Sequence, residues 1–173
     1  MGYAGGATPA PTYRNLGDHT ETLQVDYNPD KITYEQLLAV FWSSHNPQQE
    51  SWSRQYMTAV FYSNDTQRQV AEKSKTRENA RGQGKIHTQV LPLGQFHRAE
   101  DYHQKYYLRQ NTLLLHEFKG IYPDPDDFTD STAAARVNGY LGGHVPIAKV
   151  RQALGELGLS PAANKRLLEA AER

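Results

Sequence analysis

Residues 19–42, HTETLQVDYNPDKITYEQLLAVFW, change hydrophobic period midway, and that change decides the fold class. From His19 to Tyr27 apolar and polar residues alternate: Leu23, Val25 and Tyr27 share one side, Thr22, Gln24 and Asp26 the other. Period two predicts a strand over 19–27 with one buried face. Asn28-Pro29-Asp30-Lys31 then supplies a turn. Thr33 opens a capping box closed by Gln36. Beyond it Tyr34, Leu37, Leu38, Phe41 and Trp42 recur at helical spacing, which predicts a helix with one apolar stripe. His45-Asn46-Pro47 ends it.

The same reading extends along the chain. Residues 57–62, MTAVFY, form a second expected strand. Residues 63–81 form a polar helix capped by Ser63 or Asn64, with Val70 and Ala71 as a thin apolar stripe and Arg68 paired with Glu72. Residues 85–93 form a third strand, placed near an edge by Pro92. Residues 99–111 make an aromatic helix or turn. Helices follow at 112–118, about 129–138, 147–157 and from Pro161, with Ser160 as its N-cap. Strands alternating with helices give an α/β (α+β two-layer) fold, a small mixed β-sheet with packed helices. We expect a single domain over 1–173, with its core in about 1–110 and a helical C-terminal extension over about 111–173.

Composition narrows the function classes. The 173 residues carry 19 Lys plus Arg against 19 Asp plus Glu, a formal net charge of zero. A balanced charge gives no electrostatic argument for nucleic acid or an anionic membrane. No apolar run is long enough to span a bilayer, and the start has no signal-peptide pattern. A cytoplasmic location is the expectation. The chain has no cysteine, so disulfides, thiolate metal sites and cysteine nucleophiles are excluded within it. The histidines lack the tight pairing of a zinc site, and no metal is expected.

Three residues stand out. Strand parity places Glu21 with Leu23 and Val25 on the core face, where an unpaired carboxylate is disfavoured as the anion and suits a general acid. The alternative is a solvated strand end. Tyr3 lies in GYAGG, where glycines allow close backbone approach of a ligand or simply a tight turn. Tyr56 follows a loop at the start of the second strand.

Together these stretches resemble one family. GYAGG (2–6), PTY (11–13), GDHTE (17–21), VDYNPDKITYEQLLAVFWSSHNP (25–47), RQY (54–56) and AEDYHQKYY (99–107) are similar, in that order, to methionine sulfoxide reductase A, the peptide-methionine (S)-S-oxide reductases. The resemblance runs through about residues 2–110 and implies a ferredoxin-like methionine sulfoxide reductase A core. It implies thiol-dependent reduction of methionine-S-sulfoxide in oxidised proteins or peptides, a repair of oxidative damage. A cysteine in a Gly-Cys-Phe-Trp motif attacks the sulfoxide sulfur, and thioredoxin or a dithiol resets it without a bound cofactor. The family's glutamate matches Glu21 as general acid. Its two tyrosines match Tyr3 and Tyr56, which hold the sulfoxide oxygen and bind substrate with Glu21.

The departures carry equal weight. No Gly-Cys-Phe-Trp motif occurs, and we expect that segment to belong upstream of Gly2, which makes this a truncated or inactive form. The family's aspartate ahead of the second tyrosine falls on or near Ser51. Its Gly-Tyr-Cys falls on Gly139-Tyr140-Leu141, with Leu141 in the cysteine's place. The alternative is a non-catalytic module that binds methionine sulfoxide, or a partner through its tail helices.

Overall fold

The computed structural model describes residues 1–82 and 84–172. The chain divides into two compact units, Met1–Glu100 and Asp101 onward, a break earlier than the boundary expected near residue 110.

In the first unit, β1 (Gly2–Ala4) lies between β2 (Thr20–Thr22) and β5 (His97–Arg98), antiparallel to both. Glu21, Tyr3 and His97 stand opposite one another across the three strands. Directly opposed residues project to the same side of a sheet, so these three share one face. The strand over 19–27 is much shorter than its alternation predicts. Pairing stops at Thr22, and Leu23 and Val25 are 65 and 51% exposed. Alternation specifies a buried face only where a second layer covers it.

The capping box forms as expected. Gln36 N donates to Thr33 Oγ1 at 3.2 Å and Thr33 N to Gln36 Oε1 at 2.8 Å, opening α1 (Tyr34–Ser43). Leu38 and Trp42 are its buried positions. β3 (Ala59–Tyr62) and β4 (Gln89–Pro92) pair in parallel in a second sheet, so the strands make two small sheets where one was expected. Parallel neighbours need a crossover, which α2 (Asp65–Arg81) provides, capped by Asn64. Its thin stripe packs as read: Ala71 joins Leu38, Trp42, Val60 and Ile86 in the core, with Val70 against them. Trp42 Nε1 donates to Ser74 Oγ, which donates on to Ala71 O, so the indole N–H is satisfied inside the core.

The second unit is helical throughout its described elements: α3 (Tyr106–Arg109), α4 (Thr112–Ile121), α5 (Pro125–Asp130), α6 (Thr132–Leu141), α7 (Ile147–Ala153) and α8 (Pro161–Ala171). Side chains of Asn111, Asp124, Ser131 and Ser160 accept from the first turns of α4, α5, α6 and α8, the usual residue types for orphaned helix N–H groups. Leu114, Phe118, Val137, Val150 and Leu167 are wholly buried in its core. Among the described residues no helix is long and apolar enough to cross a membrane.

Candidate functional site

The candidate site lies in the first unit, where three segments meet: β2, the turn after β1, and a 3-10 turn over Arg54–Tyr56. The turn after β1 needs glycine. Gly5 has φ +80°, and a β-carbon there would sit 2.7 Å from the Phe61 ring. At Gly6 a β-carbon would come 2.6 Å from Asp18 Oδ1. The glycines of GYAGG thus let the chain close on GDHTE.

That closure is a clamp of directional bonds. The Asp18 carboxylate accepts from Ala7 N at 2.9 Å, and from Thr8 N and Thr8 Oγ1 at 3.0 and 2.7 Å. The Thr8 hydroxyl and these amides hold the Asp18 carboxyl well below the usual carboxylate range. His19 is buried, receives Gly6 N at Nδ1 (3.3 Å) and donates from Nε2 to Thr8 O (2.8 Å), a pattern that suits the Nε2–H tautomer. Arg54 donates from Nε to Asp18 O at 2.5 Å and from Nη2 to Gly5 O at 2.8 Å. Thr20 Oγ1 donates to Arg54 O at 2.9 Å. Arg54 therefore ties the 3-10 turn to both arms of the clamp.

Glu21 and Tyr56 meet on this frame through Gln55. The Gln55 amide donates to Glu21 Oε1 at 2.7 Å and lies 3.2 Å from Tyr56 Oη. Glu21 is half-buried and bonded, which corrects the expectation of an unpaired carboxylate on a core face. The Tyr56 hydroxyl, on a side chain 43% exposed, is pushed above its ordinary range. Partial desolvation acts first, then the charge of Glu21, then Tyr13, to which it is also hydrogen-bonded. It remains a protonated donor at neutral pH.

Tyr3 is placed differently. It stands across from Glu21 in the sheet, is almost wholly buried, and donates from its hydroxyl to Glu100 Oε2 at 2.6 Å. Glu100 Oε1 accepts from Tyr13 N at 3.0 Å. Ser51, at the family's aspartate position, donates from Oγ to Ser53 O at 2.7 Å. Leu141 ends α6 in the second unit.

Sequence reasoning missed Asp18, Arg54, Gln55 and Glu100. Each lies inside a motif quoted above, GDHTE, RQY or AEDYHQKYY, but the partners lie 10 or more residues away, so the motif marks the position without giving its role.

The family profile for peptide methionine sulfoxide reductase matches residues 1–131, past residue 110 and into the helical unit. A peptide methionine sulfoxide reductase of Drosophila melanogaster is 37% identical over 93% of this chain and 65% of its own length. Peptide methionine sulfoxide reductase A5 of Oryza sativa is 40% identical over 81% of this chain and 57% of its own. The chain thus spans about three-fifths of these relatives, and most of its helical tail is shared with the Drosophila protein. Mxr1 from Saccharomyces cerevisiae, in its reduced crystal form, superposes with a TM-score of 0.59 at 31% identity, covering 64% of this chain and 68% of that one. On sequence, fold and motif order together, the chain belongs to the peptide methionine sulfoxide reductase family.

Proposed function

We propose that residues 1–100 form the oxygen-binding side of a methionine-S-sulfoxide reductase site. The observation that carries this is the Gln55 amide, which joins the Glu21 carboxyl to the Tyr56 hydroxyl on a pinned turn. Glu21 hydrogen-bonds or protonates the sulfoxide oxygen, and Tyr56 donates to it. Tyr3, opposite Glu21, is the second oxygen holder and exchanges its bond to Glu100 for one to substrate. Donors fixed before substrate arrives stabilise the charge that develops on oxygen.

The reaction needs two electrons from sulfur. Two thiols become one disulfide, the sulfoxide becomes a thioether, and the oxygen leaves as water with the two thiol protons. The 173 residues contain no cysteine, so both thiols come from outside them, from a cysteine-bearing segment, a dithiol or thioredoxin. Oxidised methionine in proteins or peptides is the substrate.

That same lack of cysteine favours a second reading for this chain by itself, a module that binds methionine sulfoxide without turning it over. Titration calorimetry with a methionine-S-sulfoxide peptide and its reduced form tests both. Preference for the oxidised peptide, weakened by Glu21→Gln and Tyr56→Phe, supports the oxygen-binding site. Equal affinity for the two peptides removes it. Turnover with excess dithiol, once a cysteine-bearing segment of a relative is joined to the chain, separates enzyme from binding module.

A further inference from the structure

Beside the Glu21–Gln55–Tyr56 group stands Trp52, 83% exposed. A tryptophan usually hides far more of its large apolar surface. Trp52 is held in the open. Ser51 Oγ donates to Ser53 O at 2.7 Å and receives Ser53 N at 3.4 Å, so both bonds close over residue 52 and fix its backbone. The indole then leans on the Tyr56 ring, with centroids 5.1 Å apart and planes inclined at 47°. Tyr56 in turn meets Gln55, the partner of Glu21. An aromatic surface therefore continues outward from the proposed oxygen holders.

We propose that Trp52 is a specificity-determining residue that packs against an apolar side chain next to the oxidised methionine of a peptide substrate. This rests on the oxygen-binding reading of Glu21 and Tyr56. With the sulfoxide oxygen at those groups, a peptide that runs outward along Tyr56 brings the residues beside its oxidised methionine onto Trp52. The ring offers them apolar surface held rigid by its loop and by Tyr56, so little ordering cost attends binding. Covering about 60 Å² of that surface at ~25 cal/mol/Å² corresponds to about tenfold in affinity. The predicted substrate class is thus an oxidised peptide segment with an apolar neighbour, bound more tightly than an isolated methionine sulfoxide.

The test uses the full chain and five ligands. These are N-acetyl-methionine-S-sulfoxide methylamide and one short sulfoxide peptide with Leu, Ser or Lys beside the oxidised residue. The Leu peptide is also used reduced. Calorimetry should show the Leu peptide binding about tenfold tighter than the Ser peptide. Trp52→Ala should bring Leu down to Ser while leaving the methylamide unchanged, and Trp52→Phe should restore most of the preference. An unchanged Leu preference in Trp52→Ala overturns the proposal, as does a Lys peptide that outbinds Leu. If oxidised and reduced Leu peptides bind alike but both weaken in Trp52→Ala, the platform stands and the oxygen-binding reading falls. If no peptide binds, both fall.

Discussion

Glu21 accepts a 2.7 Å hydrogen bond from Gln55, a residue 34 positions further along the chain. A carboxyl group in that bond keeps a fixed direction while its other oxygen is left for a ligand. Glutamine at position 21 can still accept from Gln55 but has no acidic proton to give. Joining the Gly-Cys-Phe-Trp segment of a relative ahead of Gly2 should confer dithiol-dependent turnover. In that fusion Glu21→Gln should lower kcat/KM about 10²-fold or more, the scale of a general acid. Tyr56→Phe should cost less, about tenfold, as one hydrogen-bond donor. Steady-state rates on a methionine-S-sulfoxide peptide check both, and a Glu21→Gln fusion with full activity removes Glu21 from the chemistry.

The 173-residue chain alone should not reduce the same peptide. Hydroxyl and phenol groups cannot supply the electrons that a thiolate does. Protein-dependent formation of methionine above the dithiol blank would contradict this.

Arg54→Ala should loosen the frame. It removes the donors to Asp18 O and Gly5 O, and with them the tie between the 3-10 turn and the clamp. Both bonds lie at the surface, so a loss of about 1 kcal/mol is expected. Calorimetric melting should fall by a few degrees, with weaker sulfoxide binding because Gln55 and Tyr56 ride on that turn. Unchanged melting and binding would mean the turn holds its place without Arg54.

Asp18 makes stability depend on acid. Its folded carboxyl titrates below the ordinary 3.8 because the anion accepts from Thr8 and Ala7. A depressed folded value stabilises the protein above the unfolded value, and that gain is lost as pH falls through the folded one. Asp18→Asn should therefore be less stable than the parent at pH 7, and the difference should shrink as pH drops below about 4. Urea melts at pH 7, 4 and 3 measure it. A difference independent of pH would assign Asp18 a purely steric part.

Gly5→Ala should cost about 1–3 kcal/mol, since the new methyl meets the Phe61 ring in a left-handed backbone conformation. Phe61→Leu in the same chain should recover part of the contact penalty but none of the backbone penalty. No recovery would show that conformation alone carries the cost.

Helix ends were the most legible part of this sequence. Thr33 with Gln36, Asn64 and Ser160 each act within three residues, and each caps the helix its pattern announced. Strand parity singled out Glu21, and motif order made Glu21, Tyr3 and Tyr56 the candidate site residues. The frame beneath them was not legible, because Asp18, Arg54 and Gln55 act on residues distant in sequence. The alternation at 23–27 misled for a related reason. It records a pattern of side chains, whereas burial depends on what lies against them, and Leu23 and Val25 are open.

The indole buried against Ser74 has a spectroscopic consequence. Trp42 and Trp52 are the only tryptophans in the chain, and both precede residue 100. Trp42 is shielded and Trp52 lies in water, so their emission should differ in colour, and quenching by iodide should strip the redder component first. Circular dichroism at 222 nm, in contrast, draws mainly on the helices after residue 100. Heating one sample while following both signals sets the melting of the first unit, seen by its tryptophans alone, against that of all the helices, most of them in the second, with no label added.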